Sequence, residues 1–190
     1  GVRCKYCGVN KKLYERNKGL ESYAYSFIHE DRPEELFNMK FDVIIGNPPY
    51  QMSDGSGKGA GATPIYDKFV EQAIKLKPRY LCMIIPSRWF SGGRGLDTFR
   101  KTMLQDKRIK EIHDYADASE CFPGVEIKGG VNYFLWSRDY SGKCKFISYH
   151  ENKKISESDR DLSDFNFLVR YNGAISILDK MKNKGFESFI

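Results

Sequence analysis

The chain reads as an α/β domain whose sheet is mostly parallel, with an antiparallel hairpin at one edge. Three observations predict this class. Residues 41–46 (Phe-Asp-Val-Ile-Ile-Gly) and 79–85 are short, apolar and strand-sized, and each run stops at glycine or proline. Between them Phe69, Val70, Ala73, Ile74 and Leu76 recur at helical spacing. A further strand, helix, strand unit follows directly, and that order places ligands at the carboxyl ends of the strands.

Residues 1–21 are polar, with Lys5, Lys11, Lys12, Arg16 and Lys18 and no apolar period, so an exposed leading segment is expected. Residues 22–29 are rich in aromatics and read as a strand, and Pro33 then starts a short helical turn. Every second residue from Gly55 to Gly61 is glycine, the mark of a mobile loop. The amphipathic helix from Tyr66 ends at Lys77-Pro78, because the residue before proline disfavours helix. Leu96, Phe99, Met103 and Leu104 mark a second helix, and residues 109–115 a strand. Residues 131–136 and 145–149 read as two strands joined near Ser141-Gly142 in a hairpin-like turn. Residues 156–161 read as a solvated connector, and Ile175, Ile177, Leu178 and Met181 as a last helix. The expected organisation is therefore a leading segment at 1–21, the main domain portion at 22–150 and a connector with helix at 151–190.

Composition narrows the function. At 190 residues, 41% hydrophobic and 14% aromatic, the chain can build one core and is too apolar for disorder. Its longest apolar runs fall far short of the roughly 18 residues of a membrane span, so no membrane role is expected. A net charge of +6 favours an anionic partner. Five widely spread cysteines, an odd number, suit reduced thiols and a cytoplasmic setting. Gly1-Val2-Arg3 opens without Met or a secretory signal, so the chain is expected to be part of something longer.

The most informative tetrapeptide is Asn47-Pro48-Pro49-Tyr50, directly after a buried strand. An exocyclic or amide nitrogen is a poor nucleophile because its lone pair is delocalised. Two acceptors, the Asn47 side-chain oxygen and the Pro48 carbonyl, can rehybridise an NH2 group and aim its lone pair at a methyl donor. Consecutive prolines fix φ and hold those acceptors in place. Tyr50 supplies an aromatic face on which a planar base or amide stacks.

With the strand before it and Gln51 after it, this segment resembles the signature of amino-methyltransferases that use S-adenosylmethionine. The likeness extends through Pro64-Ile65-Tyr66, Phe69-Val70 and Ala73 to residues 81–90, and through Cys121-Phe122-Pro123-Gly124-Val125 to Gly129-Gly130-Val131-Asn132-Tyr133-Phe134. These segments are similar to those of adenine-N6 DNA methyltransferases of restriction-modification systems, over about residues 22–184. The resemblance implies a partial Rossmann-like methyltransferase fold, S-adenosylmethionine as methyl donor, no metal requirement, and double-stranded DNA as partner with the target adenine flipped. It implies catalytic roles for Asn47, Pro48, Pro49 and Tyr50, with Tyr50 and Phe122 on either side of the base. It also implies donor contacts from Asn47 and from Glu30 and Asp31, at the end of the expected strand 22–29.

The sequence departs from that family in two respects. No glycine-rich donor loop after a first strand, and no ribose-binding acid, precedes Asn47, and the chain stops where a recognition domain is expected. A fragment is therefore expected, lacking the amino-terminal methyltransferase half and the carboxy-terminal recognition domain, and inactive alone. The glycines at 55–61 are no substitute: they follow the signature, and Gly57-Lys58-Gly59 lacks the Ser or Thr of a phosphate loop. They suit a flap over DNA or a plain surface loop. Cys4-x-x-Cys7 is half a zinc site without a second pair, and no metal is assigned to it. His29, His113 and His150 are isolated and read as structural. Arg88, Arg94, Arg100, Lys101, Lys107, Arg108 and Lys110 are candidates for phosphate contact. Because the acceptor pair serves any planar NH2 group, methylation of a protein glutamine or an RNA base is the neighbouring reading. A noncatalytic zinc and nucleic-acid-binding module is the rival of another class; the Phe122 segment favours DNA methylation.

Overall fold

The structure is a computed structural model that describes residues 26–35, 37, 39–52 and 62–183. The leading segment with Cys4 and Cys7, and the glycines at 55–61, lie outside the described residues.

Strand β1, Val43–Gly46, pairs in parallel with β4, Tyr80–Pro86, in the register Ile44 to Leu81 and Gly46 to Met83. Helix α1, Tyr66–Lys75, connects them and buries Tyr66, Phe69, Val70 and Ala73. It stops where Lys77 takes a φ of +52° and Pro78 bars continuation. A 3-10 turn at Ser87–Phe90 and helix α2, Asp97–Gln105, lead to β5, Ile109–Tyr115. After a 3-10 turn at Ala118–Glu120 the chain enters β6, Val131–Ser137, then β7, Cys144–His150, and β8, Lys153–Arg160. A last 3-10 turn, Leu162–Asp164, precedes helix α3, Asn172–Asn183.

The six-stranded sheet has the order β1-β4-β6-β5-β7-β8. Only β1 with β4 and β5 with β7 are parallel; β6 is antiparallel to both β4 and β5, and β8 to β7. The sheet is thus mixed, and the expectation of a mostly parallel one is corrected. The cause is β6, which turns back and inserts between β4 and β5, burying Phe134 and Trp136 as an interior strand does. Strands β6 and β7 flank β5, so residues 138–143 are no hairpin. The edge hairpin is β7 with β8, turned by Glu151 and Asn152 at φ +49° and +57°, the left-handed pair that a two-residue turn requires. Residues 153–160, expected to lie in a connector, are therefore mostly sheet. Nor do residues 26–28 form a strand: they are helical, with Phe27 packed edge-on to Phe37 and against Phe69.

The core lies on one face of the sheet. Leu81, Met83, Ile85, Ile112, Phe134, Trp136 and Phe146 meet α1, α2 and the Trp89-Phe90 turn there. On the other face Val43 and Ile45 are 51% and 78% exposed. Farther along that face His113 stacks on Tyr133 at 4.4 Å, and Tyr115 on Tyr149 at 4.6 Å.

Candidate active site

At Gly46 the ladder ends, since Pro48 and Pro49 have no amide hydrogen to extend it. Asn47 is exposed, Pro48 buried, and Pro49 and Tyr50 half-buried. Among the described residues the Asn47 side-chain amide has no hydrogen-bond partner, and the residue is exposed. The chain is caught again at once: β2, Gln51–Met52, pairs with β3, Thr63–Pro64, and the Ile65 amide donates to the Tyr50 carbonyl at 3.2 Å. The four-residue loop is thereby held between the β1–β4 ladder on one side and the start of α1 on the other.

Phe122 reaches this loop from the carboxyl end of β5. Asp117 accepts from the Ser119 amide at 2.9 Å to cap the turn at Ala118–Glu120, and the Phe122 amide donates to the Ala118 carbonyl at 2.9 Å. The loop returns through Gly129 and Gly130, both at positive φ. At Gly130 a Cβ would stand 2.2 Å from the Tyr115 carbonyl oxygen, so only glycine fits. Tyr50 and Phe122 come together with ring centroids 6.3 Å apart and planes at 72°. A parallel sandwich around a planar ligand needs about 7 Å, two van der Waals contacts. The rings therefore close on each other edge to face, and one must turn to admit a ligand. The Tyr50 hydroxyl is buried without a described partner, and burial, then the neighbouring Cys121, push its pKa up to about 12. Tyr50 accordingly stays a neutral aromatic face across the physiological range.

The other expected site residues fare differently. Glu30 is not at a strand end; its carbonyl accepts from Gln72 Nε2 on α1 and its carboxylate from the Arg32 amide at 3.2 Å. Asp31 follows in a bend. The structural premise for donor contacts by this pair, a strand over 22–29, is absent at 26–28. Among the cations, Arg100 pairs with Asp97 at 3.0 Å, Lys107 with Asp161, and Arg108 with Asp106 at 2.7 Å while lying over Trp136. These three are committed within the protein. His113 is a satisfied structural histidine, its ring nitrogens 3.0 Å from the Tyr149 hydroxyl and 3.2 Å from Glu111. Among the described residues no group of His, Cys, Asp and Glu could hold a metal, and no helix is long and apolar enough to cross a membrane.

Sequence reading missed one feature beside the site. Buried Ser87, Asp114 and Asn132 form a polar network with Arg170. Its only local signal is Asp114 itself, a carboxylate two residues after Ile112 on the inward face of β5.

Residues 3–122, which include Asn47–Tyr50 and Phe122, match the Eco57I restriction-modification methylase family. A Mycoplasma pneumoniae protein named as an uncharacterized adenine-specific methylase is 44% identical over 173 residues, 84% of this chain and 41% of that protein. The type II methyltransferase M.PstI of Providencia stuartii is 28% identical over 128 residues, 63% of this chain and 25% of that one. Among solved structures, the type IIG restriction endonuclease BpuSI superposes with a TM-score of 0.49 at 14% identity, over 82% of this chain and 24% of that one. The chain spans less than half the length of the curated relatives it matches. With the family matched across most of its length and a residue-level likeness on both sides of the site, this chain belongs to the Eco57I restriction-modification methylase family.

Proposed function

We propose that the chain carries the target-base side of an adenine-N6 DNA methyltransferase of a restriction-modification system. The observation that carries this reading is the Tyr50 ring that already meets Phe122, three residues from the exposed Asn47 side chain. Asn47 and the Pro48 carbonyl accept from the exocyclic amine of a flipped adenine and turn its lone pair toward the donor. Pro48 and Pro49 keep those acceptors from relaxing, and Tyr50 and Phe122 hold the ring. Opening the edge-to-face contact costs about 0.5–1.5 kcal/mol, against about 1–3 kcal/mol gained per stacked base.

S-adenosylmethionine, when bound, supplies the electrophilic methyl group. The exposed Asn47 amide fits one side of that donor, and no donor role is given to Glu30 or Asp31. The remaining contacts come from strands and helices that join the edge of β1, which pairs with no described strand and where Val43 and Ile45 are exposed. The partners proposed with this reading are an amino-terminal methyltransferase half, a carboxy-terminal recognition domain and double-stranded DNA. Free thiols at Cys82, Cys121 and Cys144 support a cytoplasmic setting.

The test is methyl transfer to adenine in duplex DNA by the chain joined to its missing portions. Asn47→Ala is expected to lower turnover about 100-fold or more without changing stability, as for loss of one preorganised charge-stabilising contact. Tyr50→Ala and Phe122→Ala weaken target-base binding by about 1–3 kcal/mol each. Near-normal turnover of Asn47→Ala rejects the mechanism.

A further inference from the structure

Asp114 is 1% exposed, and its carboxylate is held from two sides. Ser87 Oγ donates to Oδ1 at 2.8 Å, while Arg170 sets Nε 2.8 Å from Oδ2 and donates from Nη2 to Oδ1 at 3.1 Å. Behind Ser87, fully buried Asn132 donates through Nδ2 to Ser87 Oγ at 3.1 Å and to the Ile85 carbonyl at 3.3 Å. A buried ion pair is a poor device for stability alone, because desolvation offsets most of the attraction. The position of Arg170 gives it another use. Its Nη2 also donates to the carbonyl of Gly129, and its guanidinium lies 5.3 Å from the Phe90 ring centroid. The next residue, Gly130, is pressed against the end of β5 and accepts at its carbonyl from the Ser87 amide at 2.9 Å. One cation thereby joins the turn after β4, the end of β5 and the return of the loop that carries Phe122.

We infer that Arg170 is a positioning residue for the target base: it fixes the 117–130 loop, and through it sets Phe122 against Tyr50. The inference rests on the base-binding reading above. Arg170 touches neither ring. It stands two residues ahead of α3, so a displacement of that helix is carried to Phe122 through the same tether.

The test uses the 190-residue chain with Arg170→Lys, Phe122→Ala and the two combined. Lysine keeps the charge that Asp114 needs, yet it cannot fork to both the carboxylate and the Gly129 carbonyl. Should that variant lose its fold, Asp114→Asn with Arg170→Gln removes both charges together and carries the same expectations. Amide exchange at residues 121–130 should quicken about tenfold or more while β4 and β6 stay protected. Binding of a duplex containing 2-aminopurine, read by fluorescence, should weaken about tenfold when Phe122 is present and not at all in Phe122→Ala. Unchanged loop exchange overturns the inference. Equal weakening with and without Phe122 also overturns it, since that marks a general structural role. If the unsubstituted chain fails to take up the 2-aminopurine base, the base-binding reading has failed instead. Loop exchange then decides by itself: faster exchange upholds the tether and unchanged exchange rejects it.

Discussion

The two outer strands of the sheet, β1 and β8, are built in opposite ways. Strand β8 is charged along its length, with Lys154 2.9 Å and Lys145 3.4 Å from Glu157. Asn172 at the start of α3 anchors it through Ser156 and Ser158. This is how an edge that ends a sheet avoids pairing with other chains. Strand β1 is Val-Ile-Ile-Gly, with its side chains 51% and 78% exposed at Val43 and Ile45, and its outer edge pairs with no described strand. An apolar parallel strand belongs inside a sheet covered on both faces. The difference teaches that one edge is finished while the other is, among the described residues, an unpaired apolar seam, with the Asn47–Tyr50 loop at its end.

The largest effect that could break this comparison comes from a matched pair of substitutions. In the 190-residue chain, Ile45→Lys and the equivalent edge change Ile155→Lys should each alter unfolding free energy by no more than about 0.5 kcal/mol, as exposed sites do. In a form joined to the proposed amino-terminal half, Ile45→Lys should cost about 3 kcal/mol or more, from lost apolar burial and a buried charge, while Ile155→Lys stays neutral. Urea unfolding of both forms checks this, and equal responses at the two edges would refute the seam.

A smaller effect sharpens the β8 side. Glu157→Val removes the shared partner of Lys145 and Lys154 and should leave stability nearly unchanged, while increasing self-association seen by sedimentation. The smallest effect is acid sensitivity. Its pairing with Lys107 and the donors from Ser163 hold Asp161, just after β8, down to about 2, below its ordinary value. A lowered folded pKa contributes stability above the unfolded value, and that contribution is lost as pH falls through about 2. Carboxyl chemical shifts should show Asp161 titrating near that pH, with β1 unaffected because it holds no titratable side chain. An Asp161 midpoint at the ordinary carboxylate value would remove this contrast.

What was legible in the sequence was local. Strands β1 and β4 and helix α1 announce themselves by apolar period and by glycine or proline stops, and Asn47–Tyr50 is a four-residue signature. Strand β6 was expected as a strand but not in its place, because its pairing with β4 is long-range and nothing in residues 131–137 names the partner. Strand β8 looked like a connector because an edge strand is polar, and its turn uses Glu151-Asn152 without a glycine. Aromatic content suggested a strand through residue 29, but Phe27 finds its packing against Phe37 and Phe69 from a helical turn. Phe122 entered through family resemblance, and the structure brings it to Tyr50. The Arg170 network stayed hidden because Ser87 and Arg170 lie 27 and 56 residues from Asp114 in sequence.

The central claim is that this chain holds the base side of the site and only part of the donor side. Calorimetric titration of S-adenosylmethionine into the 190-residue chain, and into the same chain joined to its amino-terminal half, tests it most directly. The account predicts no measurable binding to the chain alone and clear binding once the half that borders β1 is restored. Micromolar binding to the chain alone would contradict it and would require a complete donor pocket within these residues.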